Sequence, residues 1–269
     1  MTNKNVDIFI YGVNAFTPLV TNPVYKVLVN SKDEKKKFNT NLEIYRDWEN
    51  EDNISDKNLI FNEYTGLYWV WNNWKIKDYI GLNHYRRYYT CLDDLPNINK
   101  IFTKHNIILN ERFPLKYNGE PKTNKEFYEI WHNVDDFNLM ESIVKELYPE
   151  YSDGWDKMAN ATYIYPSSLF IMKKATFFEY MSFIFDVTEE FCDRRNCHSS
   201  EDFIKYVEEH KNDYVREKHT YYTVQMQARI IGYLIERCLA AFLMSGGTKS
   251  LENHAYEMPW KVYNVKYNI

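Results

Sequence analysis

The sequence predicts an α/β fold with a mostly parallel central sheet flanked by helices and a helical C-terminal half. Three observations carry this. Short apolar runs at residues 6–12, 25–29 and 79–82 have the length and character of buried strands. A helical pattern over residues 61–71 lies between the second and third runs, so strand, helix and strand follow in the order of a βαβ unit. From residue 135 onward helical periods dominate. The 269 residues are 45% hydrophobic and 17% aromatic, enough for a sizeable core. They contain no internal repeat and no Pro/Gly/Ser-rich linker, so one domain is expected.

Val6-Asp7-Ile8-Phe9-Ile10-Tyr11-Gly12 is almost continuously apolar, as a strand covered on both faces must be. Tyr25-Lys26-Val27-Leu28-Val29 is the second strand. Residues 30–51, with the run Lys35-Lys36-Lys37, read as a solvated loop holding one helical turn. Asn53, Ser55 and Asn58 supply capping side chains ahead of the 61–71 helix, whose Tyr64, Leu67, Tyr68 and Trp71 share an apolar face. The strand from Asp78 begins apolar and turns abruptly polar at His84-Tyr85-Arg86-Arg87-Tyr88-Tyr89. Ile107-Ile108-Leu109 and residues 168–172 are further strands. Helices are expected over 135–148, stopped by Pro149, from Ala175 to about 191, and over 222–244, ended by Gly246-Gly247. The charged stretch 193–218 reads as an exposed insertion or helix pair, and the tail from Lys249 as a segment packed over the core.

Composition narrows the function. A net charge of −5 argues against nucleic acid as a partner. No apolar run approaches the roughly 20 residues of a membrane span, and the N-terminus lacks the length and flanks of a signal peptide. A soluble cytoplasmic protein is expected, with any membrane association peripheral. Cys91, Cys192, Cys197 and Cys238 form no CxxC pair and read as free thiols. Dehydrogenase, P-loop, zincin and G-x-S-x-G hydrolase motifs are absent, as is any Asp-x-Asp tripeptide, so no metal ligand is assigned.

Four clusters can carry chemistry. The block from His84 to Tyr89 follows a buried strand, and ligands of open α/β sheets bind outside the carboxyl ends of strands. If the strand persists, His84 and Arg86 share one face and Tyr85 and Arg87 the other. Only nine arginines stand against 24 lysines, so two adjacent ones point to a need for Arg itself, such as bidentate grip on a diphosphate. The bland alternative is an Arg pair anchoring acidic loops. Asn53, Ser55, Lys57 and Asn58 at a helix start form an anion site or a simple cap. Arg229 and Glu236 lie on one stripe of the late helix with Gly232 and Tyr233 between them, as a buried network or as a carboxylate shown to a cleft. His132 with Asp135 and Asp136 suits a sugar hydroxyl or a general base, or a plain acidic helix start.

These residues resemble a bacterial and viral family known as the domain of unknown function 4422 (DUF4422), classed with GT-A-type glycosyltransferases of capsule and O-antigen synthesis. The resemblance rests on Asp52-Asn53-Ile54-Ser55-Asp56-Lys57-Asn58, on Glu63-Tyr64-Thr65-Gly66-Leu67-Tyr68-Trp69-Val70-Trp71, and on the block from Asp78 to Tyr89. Glu146 to Tyr151, Leu169 to Lys174 and Gln227 to Arg237 extend it over most of the chain. Two features depart from it: Tyr11-Gly12-Val13-Asn14 stands where a threonine-histidine-lysine-type loop is usual, and Thr223-Val224 where an acidic residue is common.

The resemblance implies a GT-A-like single domain over 1–269, with a nucleotide-sugar part to about residue 110 and an acceptor-side part beyond. The implied co-substrate is a nucleotide sugar, UDP-linked by default, and the implied partner a glycan acceptor. Donor binding falls to Tyr11, Gly12, Asn53, Ser55, Lys57, Asn58, His84, Tyr85, Arg86 and Arg87, with cations replacing a divalent metal. Asp136, Asp135 and Glu236 are the expected bases, in that order, with His132 and Arg229 on the acceptor side. A non-catalytic carbohydrate- or nucleotide-binding module is the competing expectation.

Overall fold

The computed structural model describes residues 3–30, 32, 38–214 and 223–267. The Lys35-Lys36-Lys37 run and Tyr222 lie outside the described residues. Three parallel strands come first: β1 (Val6–Gly12) pairs with β2 (Tyr25–Val29), and β2 with the short β3 (Ile44–Arg46). Beyond the helices, β4 (Tyr79–His84) lies parallel to β1 on its other side and folds back into β5 (Arg87–Tyr89). β6 (Ile107–Asn110) stands two places further along the sheet.

Small ladders follow: β7 (Phe113–Pro114) with β10 (Tyr163–Ile164), and β8 (Lys116–Tyr117) with β9 (Glu120–Pro121). β11 (Phe170–Lys173) fits between β4 and β6, antiparallel to both. The tail completes the sheet, since β12 (Ala255–Met258) runs parallel to β6 and β13 (Trp260–Val262) antiparallel to β5. The main order is β12-β6-β11-β4-β1-β2-β3, an α/β sheet that is mostly parallel.

Every residue of β1 is buried because the sheet is covered on both faces. Phe9 and Tyr11 face one core, formed with the helices; Val6, Ile8 and Ile10 face another, closed by β5, Phe16 and the C-terminal tail. Each fully buried Ile or Phe contributes about 1.5–3 kcal/mol. Eleven α-helical segments occur among the described residues. α1 (Asn58–Phe61), α2 (Tyr64–Asn73) and α3 (Ile98–Ile101) lie in the first half. α4 (Asn124–Trp131) opens with a Thr123–Glu126 capping box. α5 (Val134–Leu147) is capped by Asn133 and followed by Pro149. α6 (Ser152–Asn160) packs so tightly on the last long helix that a Cβ on Gly154 would lie 2.1 Å from Ser245 Oγ. α7 (Lys174–Arg195) ends on left-handed Asn196, and α8 (Ser200–Glu209), α9 (Lys211–Tyr214), α10 (Val224–Gln227) and α11 (Ile230–Met244) complete the set.

Four expectations change. The 30–51 segment is no mere solvated loop: it carries β3 and the buried Asp47. The 61–71 helix is broken at Asn62, with φ 53°, and its buried face adds Trp69 and Val70 while Tyr68 and Trp71 are only half-buried. The helix expected over 222–244 bends at Ala228-Arg229 into two pieces. Of the 193–218 stretch, residues 215–218 lie outside the described residues; the described part, 193–214, is anchored rather than simply exposed, because Phe203, Val207 and Tyr214 are buried in the main core.

Candidate active site

A cleft of about 230 Å³ opens at the carboxyl ends of β1 and β4. Its strand wall is Tyr11, Gly12 and Val13 beyond β1 with His84 and Tyr85 beyond β4; its helix wall is Asn58, Leu59, Asn62, Glu63 and Arg229. Tyr267 of the tail closes one side.

The strand from Asp78 does not persist through the arginines. It turns at Tyr85-Arg86, so His84 and Arg87 become cross-strand partners and share a face. The N–H of Tyr85 donates to the Tyr11 carbonyl (2.8 Å), locking the turn to β1. The Arg86 N–H donates to His84 Nδ1 (3.4 Å), and the Arg86 guanidinium lies 5.6 Å from the Tyr85 ring centre. Tyr85 stacks on Tyr267, centroids 4.4 Å apart, while the Tyr267 hydroxyl accepts from the Val13 N–H. Tyr263 N–H donates to the Arg86 carbonyl (2.8 Å), so the tail grips the turn twice.

Arg86 and Arg87 flank the cleft rather than line it. Among the described residues no carboxylate closes an ion pair on either; Glu236 and Glu63 act on Arg87 electrostatically, and burial lowers its pKa. Burial, then Arg87, Arg86 and Arg229, hold the His84 imidazole well below its usual pKa. It is therefore neutral at pH 7 and offers an N–H rather than the charge expected of it.

Glu63 was missed in the sequence, where it stands as an ordinary acidic residue beside a helix. It occupies the N-cap of α2 and lines the cleft. Burial pushes its pKa up to about 7, helped by Glu236, while its own backbone N–H, Arg87 and Arg229 oppose the rise. Asn62 holds this corner open: its Oδ1 accepts from Arg229 Nε (2.8 Å), and its amide sits where a Cβ on Gly232 would lie 1.7 Å away. Gly232 is thus the space Asn62 needs.

Behind the strand wall, buried Asp47 accepts from the Tyr11 hydroxyl (3.1 Å), Thr65 Oγ1 (2.8 Å) and Asn30 Nδ2 (3.1 Å). Asn58 Nδ2 donates to the Tyr11 hydroxyl (2.7 Å), so this hub joins the ends of β1, β2 and β3 to α1 and α2. Burial raises the Asp47 pKa, with its hydrogen bonds opposing. Its polar neighbours in sequence hid it.

The structure thus brings Tyr11, Gly12, Asn58, His84, Tyr85 and Arg229 into one cleft, with Arg86 and Arg87 at its edge and Glu236 within electrostatic reach of Glu63. It places others elsewhere. Asn53 Oδ1 accepts from the Ser55 N–H and hydroxyl, making a local turn, and Lys57 acts on the buried Cys192. Neither these three nor the four-residue α1 forms an anion site on the cleft wall. Asp135 is exposed at the α5 start. Asp136, the first-choice base, is buried in an ion pair with Arg195 Nη2 (2.7 Å) and accepts from the Tyr214 hydroxyl (2.6 Å). Burial nevertheless lifts its pKa to about 6. His132 is buried and its pKa falls to about 3, so its neutral ring donates from Nδ1 to Gln227 Oε1 (3.0 Å). Asp135, Asp136 and His132 do not line the cleft. Among the described residues no group of three or more His, Cys, Asp or Glu is placed to hold a metal ion, and no helix is long and apolar enough to cross a membrane.

The whole fold is shared with a solved protein, the bifunctional glycosyltransferase WbbM in its apo form: 22% identity and a TM-score of 0.73 over 98% of this chain. The match spans 46% of WbbM, so this chain corresponds to less than half of that protein. Two structures of the mannosyltransferase Ktr4p of S. cerevisiae, one of them in complex with GDP, overlap far more loosely, at 10% identity and TM-scores of 0.35 and 0.34. These overlaps take in 71% and 69% of this chain and 62% of Ktr4p in each case. No curated protein sequence matches. Residues 13–210, which hold the hairpin, Glu63 and the Asp47 hub, match the family described as domain of unknown function DUF4422, and the chain belongs to that family.

Proposed function

We propose that the chain is a GT-A-type glycosyltransferase that moves a hexose from a nucleoside diphosphate, UDP by default, to a hydroxyl of a glycan acceptor. One observation carries the reading: two guanidiniums without a described ion-pair partner project from a tight turn at the carboxyl end of a central strand, beside a cleft. Arg87 is half-buried and Arg86 is exposed; a half-buried cation without a counter-ion is costly, so such a site favours an anionic ligand. Breaking the bond from a sugar to a diphosphate places negative charge on the β-phosphate oxygens. Arg86 and Arg87, with an N–H from His84, can take up that charge where other enzymes use a divalent ion. The fold shared with the bifunctional glycosyltransferase WbbM supports the same reaction class. Tyr85 and Tyr267 supply aromatic surface for the base, and Arg229 faces the sugar or acceptor.

The test is incubation with a panel of UDP- and GDP-sugars, with and without glycan acceptors and with EDTA in excess, measuring release of free UDP or GDP. Turnover that survives EDTA and is lost in Arg87→Ala is expected. Strict metal dependence with Arg87→Ala still active would defeat the cationic mechanism. Binding without turnover would instead mark a nucleotide- or carbohydrate-binding module.

A further inference from the structure

Glu63 was not among the carboxylates expected to act, and the structure changes that ranking. We infer that Glu63 is the catalytic base that takes the proton of the acceptor hydroxyl. The inference rests on the transferase reading above. Three features of the fold support it independently of titration.

Glu63 is on the cleft wall, whereas Asp136 is tied to Arg195 and Asp135 lies out on the surface. Its position is built: Asn62 at positive φ, held by Arg229 and accommodated by Gly232, stops α1 and turns the chain so that α2 starts at the cleft. It also shares the cleft with His84 and Tyr85 of the hairpin whose guanidiniums receive the leaving group.

The groups facing Glu63 set its behaviour. Tyr11 comes from β1, Arg87 from β5, Tyr64 and Tyr180 from α2 and α7, and Arg229 and Glu236 from the α11 side. Burial and Glu236 push its pKa up to about 7, while Arg87 and Arg229 keep it from rising further. A base near neutrality is half-ionised at pH 7 and still basic enough to accept a proton.

In the step itself, the acceptor O–H proton passes to the Glu63 carboxylate and the acceptor oxygen bonds to the anomeric carbon. The bond from that carbon to the β-phosphate oxygen breaks, and its electron pair leaves with the nucleoside diphosphate. Configuration at the anomeric carbon is inverted.

The experiment compares wild type, Glu63→Gln, Glu63→Asp and Glu236→Gln for UDP and GDP affinity by calorimetry and for transfer across pH. Glu63→Gln is expected to bind nucleotide within about twofold of wild type yet transfer on the order of 10²- to 10⁴-fold more slowly. Wild type should lose activity as pH falls through about 7. Glu63→Asp should keep that acidic limb at reduced rate, and Glu236→Gln should move it to lower pH by removing a negative neighbour. Should Glu63→Gln fail to fold, an acidic limb that Glu236→Gln leaves unmoved overturns the inference. Transfer by Glu63→Gln within about threefold of wild type, or a product that retains the donor's configuration, overturns it too, with the transferase reading intact. A wild-type chain that neither binds UDP or GDP nor releases them from any sugar removes the reading beneath it.

Discussion

Two regions of this molecule bring together a carboxyl group, arginine and histidine, and they end in opposite electrostatic states. Around α5, Asp136 is closed by Arg195 and Tyr214, and His132 by Gln227. At the cleft, Glu63, His84, Arg86 and Arg87 share a field without a described ion pair among them. Identical residue types therefore do different work. A network whose members satisfy one another is structure, while charges without a described ion-pair partner beside a cavity are candidates for ligand binding.

The sharpest way to break the comparison is to open the closed network. Asp136→Ala leaves the half-buried Arg195 without its partner and is expected to cost about 3–5 kcal/mol of stability in denaturant unfolding. Nucleotide affinity of the folded fraction should be unchanged. If affinity falls while stability holds, Asp136 belongs to the site after all.

Arg87→Ala should do the reverse. It removes a half-buried charge that no described carboxylate pairs, so stability should hold or rise. The transition state should lose on the order of 3 kcal/mol, about 10²-fold in turnover. Equal damage to both quantities would make the arginine a structural anchor.

Gly232→Ala tests the frame between the regions. The added methyl overlaps Asn62, and overpacking of this kind costs about 1–3 kcal/mol. Loss of transfer beyond the loss of folded protein would show that Asn62 aims Glu63.

A smaller effect is expected from Tyr267→Ala, which strips the tail's ring from Tyr85. Nucleotide binding should weaken by roughly 1 kcal/mol, about fivefold, with little change in kcat. The smallest signal is a fraction of a proton. His84 is neutral in the free protein, and a bound diphosphate raises its pKa, so nucleotide binding should take up protons. Calorimetry in buffers of different ionisation enthalpy reads this directly, and Arg87→Ala should change it.

Much of the frame was legible in the sequence. The continuous apolar run of β1 demands two covered faces, and Pro149 ends α5 because a proline acts locally. His84-Tyr85-Arg86-Arg87 stood out because six polar and aromatic residues directly follow a buried strand. The face each arginine takes was not legible, since a two-residue turn exchanges the alternation of a strand for cross-strand pairing. Nor was the antiparallel β11 between β4 and β6, whose register depends on segments far apart in the chain.

The sequence alone determined the α/β class, the strand that ends in arginines and the family to which the chain belongs, because those follow from periodicity and contiguous motifs. Only the tertiary structure decided which carboxyl groups are spent on neighbours and which face the cleft. Asp136 and Glu63 look alike in sequence. Their roles depend on partners 59 and 24 residues away, Arg195 and Arg87, one closing an ion pair and the other standing off. That difference in distance is set by packing, to which no local pattern is sensitive.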